Sequence, residues 1–221
     1  MKNLSNIRTG SNYVTGVSPI ELLVMVAGKK RLVVCDGPWL VVQLRKHCIT
    51  SFNRIWADYK NGFGSLQTDL WLGLEAMHQI TTKQPHKARF HMITDNGTAY
   101  MAEYSSFKMD DEATSYRLSV SGHSGNASDD ISTGGGNPRR INNGQPFTTR
   151  DRDNDGYRDG NCAQLYHTPW WQNSCSAVHF NTPCKNQVGF QCPRNCLLWY
   201  SITTRSAPPL NYTRIEIMPN T

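Results

Sequence analysis

The chain has 221 residues, 38% of them hydrophobic and 18% charged, and carries a formal net charge of +6. This describes one globular domain, or a domain plus a lobe, with enough residues to bury a sizeable core. The densest basic group (Arg139, Arg140, Arg150, Arg152, Arg158) is interleaved with aspartates, which argues against nucleic acid as partner, and the apolar run from Ile20 to Ala27 is too short to span a bilayer.

Along the chain, Met1 to Ser5 lacks the apolar core of a signal peptide, so the sequence reads as a piece of a longer chain or one with an incomplete start. Residues 12–48 alternate turn residues with Val-rich runs, Leu32-Val33-Val34 and Leu40-Val41-Val42, which predict short strands. Ile55, Trp56 and Tyr59 stand at helical spacing before Gly62 and Gly64, and a second helix is predicted over 70–81, with Leu72, Met77 and Ile80 on one face. Arg89 to Ile93 and Tyr116 to Val120 alternate polar and apolar, as half-buried antiparallel strands do. From Ser124 to Phe147 the chain is rich in Gly, Asn, Ser and Pro and reads as loop. The tract from Asp151 to Cys196 has little periodicity and draws its order from crosslinks and metal, and Tyr212 to Ile217 reads as a closing strand.

Seven cysteines and four Asn-x-Ser/Thr sequons, at Asn3, Asn96, Asn126 and Asn211, together point to an oxidising, extracellular compartment. An odd cysteine count leaves one thiol free or paired with another chain, which admits a homo-oligomer.

The sharpest chemical signal is Asp151-Arg152-Asp153-Asn154-Asp155-Gly156. Carboxylates at alternate positions before a glycine can turn several oxygens toward one centre, and Ca²⁺ takes six to eight oxygen ligands. Position twelve of an EF-hand-like loop starting there falls on Cys162, not Glu, so an EF-hand is excluded. A bridge between Cys162 and Cys175 would stiffen the tract just after this loop by roughly 3 kcal/mol. Trp170 and Trp171 are read as core. Nothing catalytic is assembled: Gly122-His123-Ser124-Gly125 is not a nucleophile elbow, and Gly134-Gly135-Gly136 is not followed by Lys-Ser/Thr. The chain is therefore read as a binding protein, not an enzyme.

Several of these segments, taken in order, resemble the fibrinogen C-terminal domain family, with likeness to ficolin and tachylectin-type lectins. They are Trp56-Ala57-Asp58-Tyr59-Lys60-Asn61-Gly62-Phe63-Gly64, Leu70-Trp71-Leu72-Gly73-Leu74-Glu75, Ala102 to Phe107, Tyr116 to Gly122, Asp151 to Asp155, Asn161-Cys162-Ala163, Trp170-Trp171 and Cys175. The resemblance implies an α+β fold with a small N-terminal lobe (about 1–48), a central antiparallel sheet (about 49–122 with 210–219) and a loop-rich calcium and ligand lobe (about 123–209). It implies a calcium ion held by the side chains of Asp153 and Asp155 and by two carbonyls, Tyr157 and Asp159 counting forward, or Arg158 and Gly160 counting back. It further implies an acetyl-binding pocket formed by the N–H groups of Cys175 and Ser176, a cis Ser174–Cys175 peptide, Tyr166 as an aromatic wall, and Pro193 and Arg194 where an aromatic-Ala pair is usual. Arg194 would suit a carboxylate such as sialic acid. Cys35 lacks its usual partner, for which Cys48 is the candidate, and Cys184, Cys192 and Cys196 are additions. The expected function is a secreted, calcium-binding lectin of innate recognition for acetylated or acidic glycans; the alternative is an adhesive or signalling ligand that binds a cell-surface protein through the same lobe.

Overall fold

A computed structural model describes residues 20–26, 29–183, 197–203 and 209–220. Cys184, Cys192, Pro193, Arg194, Cys196 and the sequon at Asn3 lie outside the described residues. Three strands open the chain, β1 (Ile20–Val26), β2 (Lys29–Asp36) and β3 (Trp39–Arg45). They are followed by α1 (Trp56–Asn61), β4 (Phe63–Gly64), β5 (Asp69–Trp71) and α2 (Leu74–Lys83). Three longer strands come next: β6 (His86–Thr94), β7 (Ala99–Met109) and β8 (Leu118–Gly125). Short elements then dominate: α3 (Asp130–Thr133), β9 (Phe147–Thr148), α4 (Cys162–Leu165), β10 (Trp170–Trp171), β11 (Val178–His179) and β12 (Leu198–Trp199). The last strand, β13 (Leu210–Pro219), returns to the main sheet. The fold is the mixed α+β architecture expected.

The main sheet runs β1-β2-β3-β13-β6-β7-β8, with β5 added beside β3 and β4 beside β5. Its pairs are antiparallel, and strands β1 to β3 belong to the same hydrogen-bonded sheet as the central strands. The closing strand of the sequence is thus a central one in space, clamped between β3 and β6. β6 shows why the period-two reading works: His86, Ala88, Phe90, Met92 and Thr94 are buried, and the residues between them are only half-buried. On one face Ala88, Phe90, Met92, Ala102 and Tyr104 join Leu74 and Met77 of α2 in the main core. The other face carries a smaller cluster of Val34, Val41, Leu44, Leu66 and Leu70.

Two boundaries differ from the sequence expectation. The second helix begins at Leu74, because Leu70 and Trp71 are drawn into β5 by pairing with β3, at Leu44 and Gln43. Strand β8 begins at Leu118 because Ser115 and Tyr116 take left-handed conformations, with φ of 56° and 49°. The tract from Ser124 to Phe147 is not simply loop: Asp129 accepts a hydrogen bond from the Ser132 N–H and starts α3, and Asn137 does the same for Arg139 in a short 3-10 turn.

Cys48 does not pair with Cys35. Cys35 is a free, half-buried thiol opposite Leu40 in the β2–β3 hairpin, and Cys48 is itself disulfide-bonded. The reason is strand geometry. From Leu40 to the end of β3 at Arg45 the chain travels about 16 Å, well beyond the roughly 7 Å limit between the Cα atoms of a disulfide.

The sheet also holds the C-terminal lobe in place. Arg45 of β3 is fully buried, lies 4.0 Å over the Phe52 ring, and donates from Nη1 to the carbonyl oxygens of Phe180 (3.4 Å) and Thr182 (2.9 Å). Burial pulls its pKa down to about 10, with Asp69 opposing. Gln43 donates from Nε2 to the same Phe180 carbonyl and to Thr213 Oγ1. An aromatic cluster seals the joint. Trp71 sits with ring centroids 5.9 Å from Phe147, 6.5 Å from Trp170 and 6.1 Å from Trp171. The tryptophan pair is therefore core, as read from the sequence.

Candidate recognition site

The site begins where β9 and β10 pair, Trp170 with Thr148 and Trp171 with Phe147. This two-residue ladder brings the acidic loop of residues 149–161 beside the tract 172–176. The loop is pinned by side chains in place of a ladder. Asp151 Oδ1 accepts from the Trp56 N–H (2.9 Å) and from Thr149 Oγ1 (2.7 Å), so the first carboxylate of the motif is committed to the start of α1. Asn154 donates from Nδ2 to the Phe147 carbonyl (2.7 Å) and from its N–H to Thr148 Oγ1. Asn161 caps α4 through the Gln164 N–H and donates to the Thr149 carbonyl.

Asp153 is exposed and Asp155 half-buried. The two are joined by a hydrogen bond: the Asp155 N–H donates to Asp153 Oδ1 (3.2 Å), and Asp155 accepts from the N–H of Tyr157 (2.9 Å) and of Cys162 (2.8 Å). Burial pushes the Asp155 carboxyl up to about 6; those two amides oppose the rise and the charge of Asp153 adds to it. Neither carboxylate makes an ion pair with Lys, Arg or His among the described residues. The donor set is all oxygen. A carboxylate offers about four acceptor positions, so each still has lone pairs to give after its amide bonds. No group of three or more His, Cys, Asp or Glu side chains gathers among the described residues, so any cation here would depend on carbonyls for most of its shell. Gly156 lies against the opposite wall: a Cβ there would come within 2.9 Å of Asn173 Oδ1, and its N–H donates to the Asn173 carbonyl.

A disulfide joins Cys162 to Cys175, with Cα atoms 5.7 Å apart, and the Ser174–Cys175 peptide is cis. The backbone here is anchored on both sides of the bridge. Ser174 N–H donates to the Arg139 carbonyl and Ala177 N–H to that of Arg140. Among the described residues the N–H groups of Cys175 and Ser176 donate to nothing. The Ser176 hydroxyl, by contrast, is saturated: it donates to the Val178 carbonyl (2.7 Å) and accepts from the Val178 N–H and from Asn142 Nδ2. Ser176 thus contributes backbone, not side chain.

Tyr166 is half-buried, and its ring stands edge-on to His179 at 5.5 Å. His179 is 3% exposed, and neither of its ring nitrogens has a partner among the described residues. Burial drives its pKa down to about 4, against the pull of the Ser176 carbonyl, so the ring is neutral at pH 7. Of the sequence-predicted site residues, Asp153, Asp155 and Tyr157 come together in the loop and Tyr166, Cys175 and Ser176 at the bridge. Asp159 is an exposed residue of the same loop. Sequence reasoning missed His179, whose only signal would have been proximity to the second cysteine, and Asn142, whose role depends on a contact across 34 residues.

The fold agrees with the comparisons. Residues 23–220 match the family described as fibrinogen beta and gamma chains, C-terminal globular domain. The chain belongs to that family. Angiopoietin-related protein 7 of Mus musculus is 38% identical over 176 residues, covering 77% of this chain and 50% of that protein. This chain spans half or less of the length of the curated relatives it matches. The fibrinogen-like globe domain of human ANGPTL2 superposes with a TM-score of 0.80 at 30% identity, covering 94% of this chain and 95% of that one. Lamprey fibrin D-dimer, solved with the peptide ligand Gly-His-Arg-Pro-amide, gives a TM-score of 0.77 at 29% identity, over 87% of this chain and 66% of that one. The likeness to ficolins and tachylectins gives way to angiopoietin-related relatives. No helix among the described residues is long and apolar enough to cross a membrane.

Proposed function

We propose that this chain is an extracellular recognition domain, not an enzyme, which binds a protein partner through the lobe around the Cys162–Cys175 bridge. The observation that carries this reading is the pair of unengaged N–H groups at Cys175 and Ser176, held in a backbone anchored on both sides and flanked by Tyr166 and the unpartnered ring of His179. Such groups give a ligand carbonyl or carboxylate two donors whose ordering cost is already met. Support also comes from lamprey fibrin, a family relative solved with a peptide in place. Extracellular location follows from the disulfides and sequons.

Calcium belongs to this reading. Asp153 and Asp155, with the carbonyls of Tyr157 and Asp159, would hold the ion, whose charge would offset two carboxylates that have no cationic partner among the described residues. The ion supplies rigidity to the loop next to the bridge, not chemistry. At about 10 mM calcium and a Kd of about 10⁻⁴–10⁻³ M, stabilisation of about 1.4–2.7 kcal/mol is expected. The double substitution Asp153→Asn and Asp155→Asn should abolish the calcium-dependent rise in Tm; a rise that survives it refutes the metal assignment.

A glycan reading rests on the same two donors, which could equally donate to an acetyl oxygen. A single experiment separates the readings. The protein is passed over Gly-His-Arg-Pro-amide, N-acetylglucosamine and sialic acid matrices, with and without chelator. Chelator-sensitive retention on the peptide alone supports the protein-partner reading; retention on either sugar alone replaces it with the lectin reading.

A further inference from the structure

We infer that the end of the sheet at the β6–β7 turn is an N-glycosylated rim, carrying carbohydrate at Asn96, Asn126 and Asn211. These asparagines open the sequons Asn96-Gly97-Thr98, Asn126-Ala127-Ser128 and Asn211-Tyr212-Thr213. Each pattern alone arises easily by chance. Their placement does not follow from the sequence.

Asn96 occupies the β6–β7 turn. Asn126 follows β8 directly and is bonded to the other end of the same turn, accepting from the Met101 N–H (2.7 Å) and donating to the Ala99 carbonyl (3.2 Å). Asn211 sits in the irregularity of β13 where Leu210 faces Thr94 and Tyr212 faces Ile93, and the Asp95 N–H donates to the neighbouring Pro209 carbonyl. Three segments far apart in the chain therefore meet at one edge, and all three asparagines are exposed.

The hydrogen bonding leaves each of them able to carry a sugar. Asn96 uses its carbonyl oxygen, which accepts from Thr94 Oγ1 (2.6 Å), the Thr98 N–H (3.2 Å) and Thr98 Oγ1 (3.0 Å), and its Nδ2 makes no hydrogen bond among the described residues. Asn126 spends one Nδ2 hydrogen on Ala99 and keeps the second. The Asn211 side chain makes no hydrogen bond among the described residues. In the transfer, Nδ2 forms a bond to the anomeric carbon of an oligosaccharide carried on a lipid diphosphate. The carbon–oxygen bond to the diphosphate breaks, the lipid diphosphate leaves with the electron pair, and one amide proton passes to the transferase's base. The remaining Nδ2 hydrogen preserves the Asn126–Ala99 contact.

The acidic loop and the Cys162–Cys175 bridge lie elsewhere. No Asn-x-Ser/Thr occurs between residues 129 and 210. Strand β7 runs from the rim to Met109, about 30 Å away, and beyond it Glu112 and Ser115 meet Arg152 at the start of the acidic loop. Carbohydrate on the rim would cover one end of the sheet and leave the lobe open. The inference rests on the extracellular reading alone, not on what the lobe binds.

The test is site mapping of the full chain directed through the secretory pathway of cultured eukaryotic cells. Protein from the medium is deglycosylated with peptide-N-glycosidase in heavy-oxygen water, which converts each occupied asparagine to a mass-tagged aspartate. Tags at all three of Asn96, Asn126 and Asn211, with one step of gel mobility lost in each of Asn96→Gln, Asn126→Gln and Asn211→Gln, are the expected result. Secreted protein that lacks a tag at any of the three overturns the proposal while leaving secretion and recognition intact. Enzymatic removal from the folded wild type gives the same site count without any substitution, so a misfolded variant cannot mask the outcome.

Discussion

The central sheet and the bridged lobe reach order by opposite means. In the sheet, β6, β7, β8 and β13 satisfy their backbone with long ladders, and alternate side chains feed the core. In the lobe the strands are two residues long, and the backbone is held by Asp151, Asn142, Asn154, Asn161 and a disulfide. Among the described residues, buried polar atoms without partners in this stretch are Thr168 Oγ1, Trp170 Nε1, Gln172 Oε1, both nitrogens of His179 and Asn181 Oδ1, compared with His123 Nε2 in strand β8. Such groups are costly and uncommon in folded proteins. The difference teaches that the sheet is built for stability, while the lobe is held rigid without being chemically satisfied, a combination that suits a surface awaiting a partner.

Four variants would break or sharpen that contrast. Trp71→Ala should have the largest effect, about 3–5 kcal/mol, because Trp71 joins both regions and is 1% exposed. Denaturant unfolding should show sheet and lobe destabilised together; a loss confined to one region would mean the two cores are independent. Replacing Cys162 and Cys175 by serine comes next, at about 3 kcal/mol. Its signature is local: amide exchange should accelerate at Gly156, Cys162 and Tyr166 while Phe90 and Ala102 stay protected. Equal acceleration in β6 and β7 would contradict the separation of roles.

Asp69→Asn follows, at about 1–3 kcal/mol. Asp69 is buried, and its two oxygens accept from five consecutive N–H groups, Lys46 to Thr50, fixing the turn after Arg45. Burial works against its charge, but the amides of Thr50, Lys46 and Cys48, helped by Arg45, outweigh it and hold the carboxyl below its ordinary range. With a depressed folded pKa, the contribution is complete above the unfolded value of about 4 and is lost as pH falls through the folded one. Acid unfolding of Asp69→Asn should therefore lack part of the wild-type loss below about pH 4; superimposable acid curves would show that the amides are no less satisfied by a neutral side chain. The smallest effect belongs to Asp58→Asn. It removes an exposed i,i+4 pair with Arg54 at 3.7 Å and should cost about 0.3 kcal/mol, touching neither region.

Much of the sheet was legible in the residues themselves. The alternation in Arg89 to Ile93 and the helical spacing of Trp56 and Tyr59 are local signals, and the elements formed where those signals lie. The helix predicted over 70–81 starts only at Leu74, because Leu70 and Trp71 pair with β3, a contact no local pattern encodes. In the lobe, the acidic motif and the second cysteine were visible as chemistry. That Asp151 ties the loop to the start of α1, and that Ser176 turns its hydroxyl inward, were not.

By itself, then, the sequence determined the family, the strand and helix periods, the bridge between Cys162 and Cys175 and the oxygen-rich loop before it. The periods and the loop depend on neighbours within one element, where spacing constrains geometry; the family and the bridge came through the resemblance carried by motifs in order along the chain. Tertiary structure alone decided that the last strand lies at the centre of the sheet, that Arg45 reaches across to hold Phe180 and Thr182, and that three distant sequons share one rim. Each of these joins residues tens of positions apart or more. Which of many such pairings forms is set by the packing of the whole domain, where a contact survives only if every neighbouring contact is compatible with it.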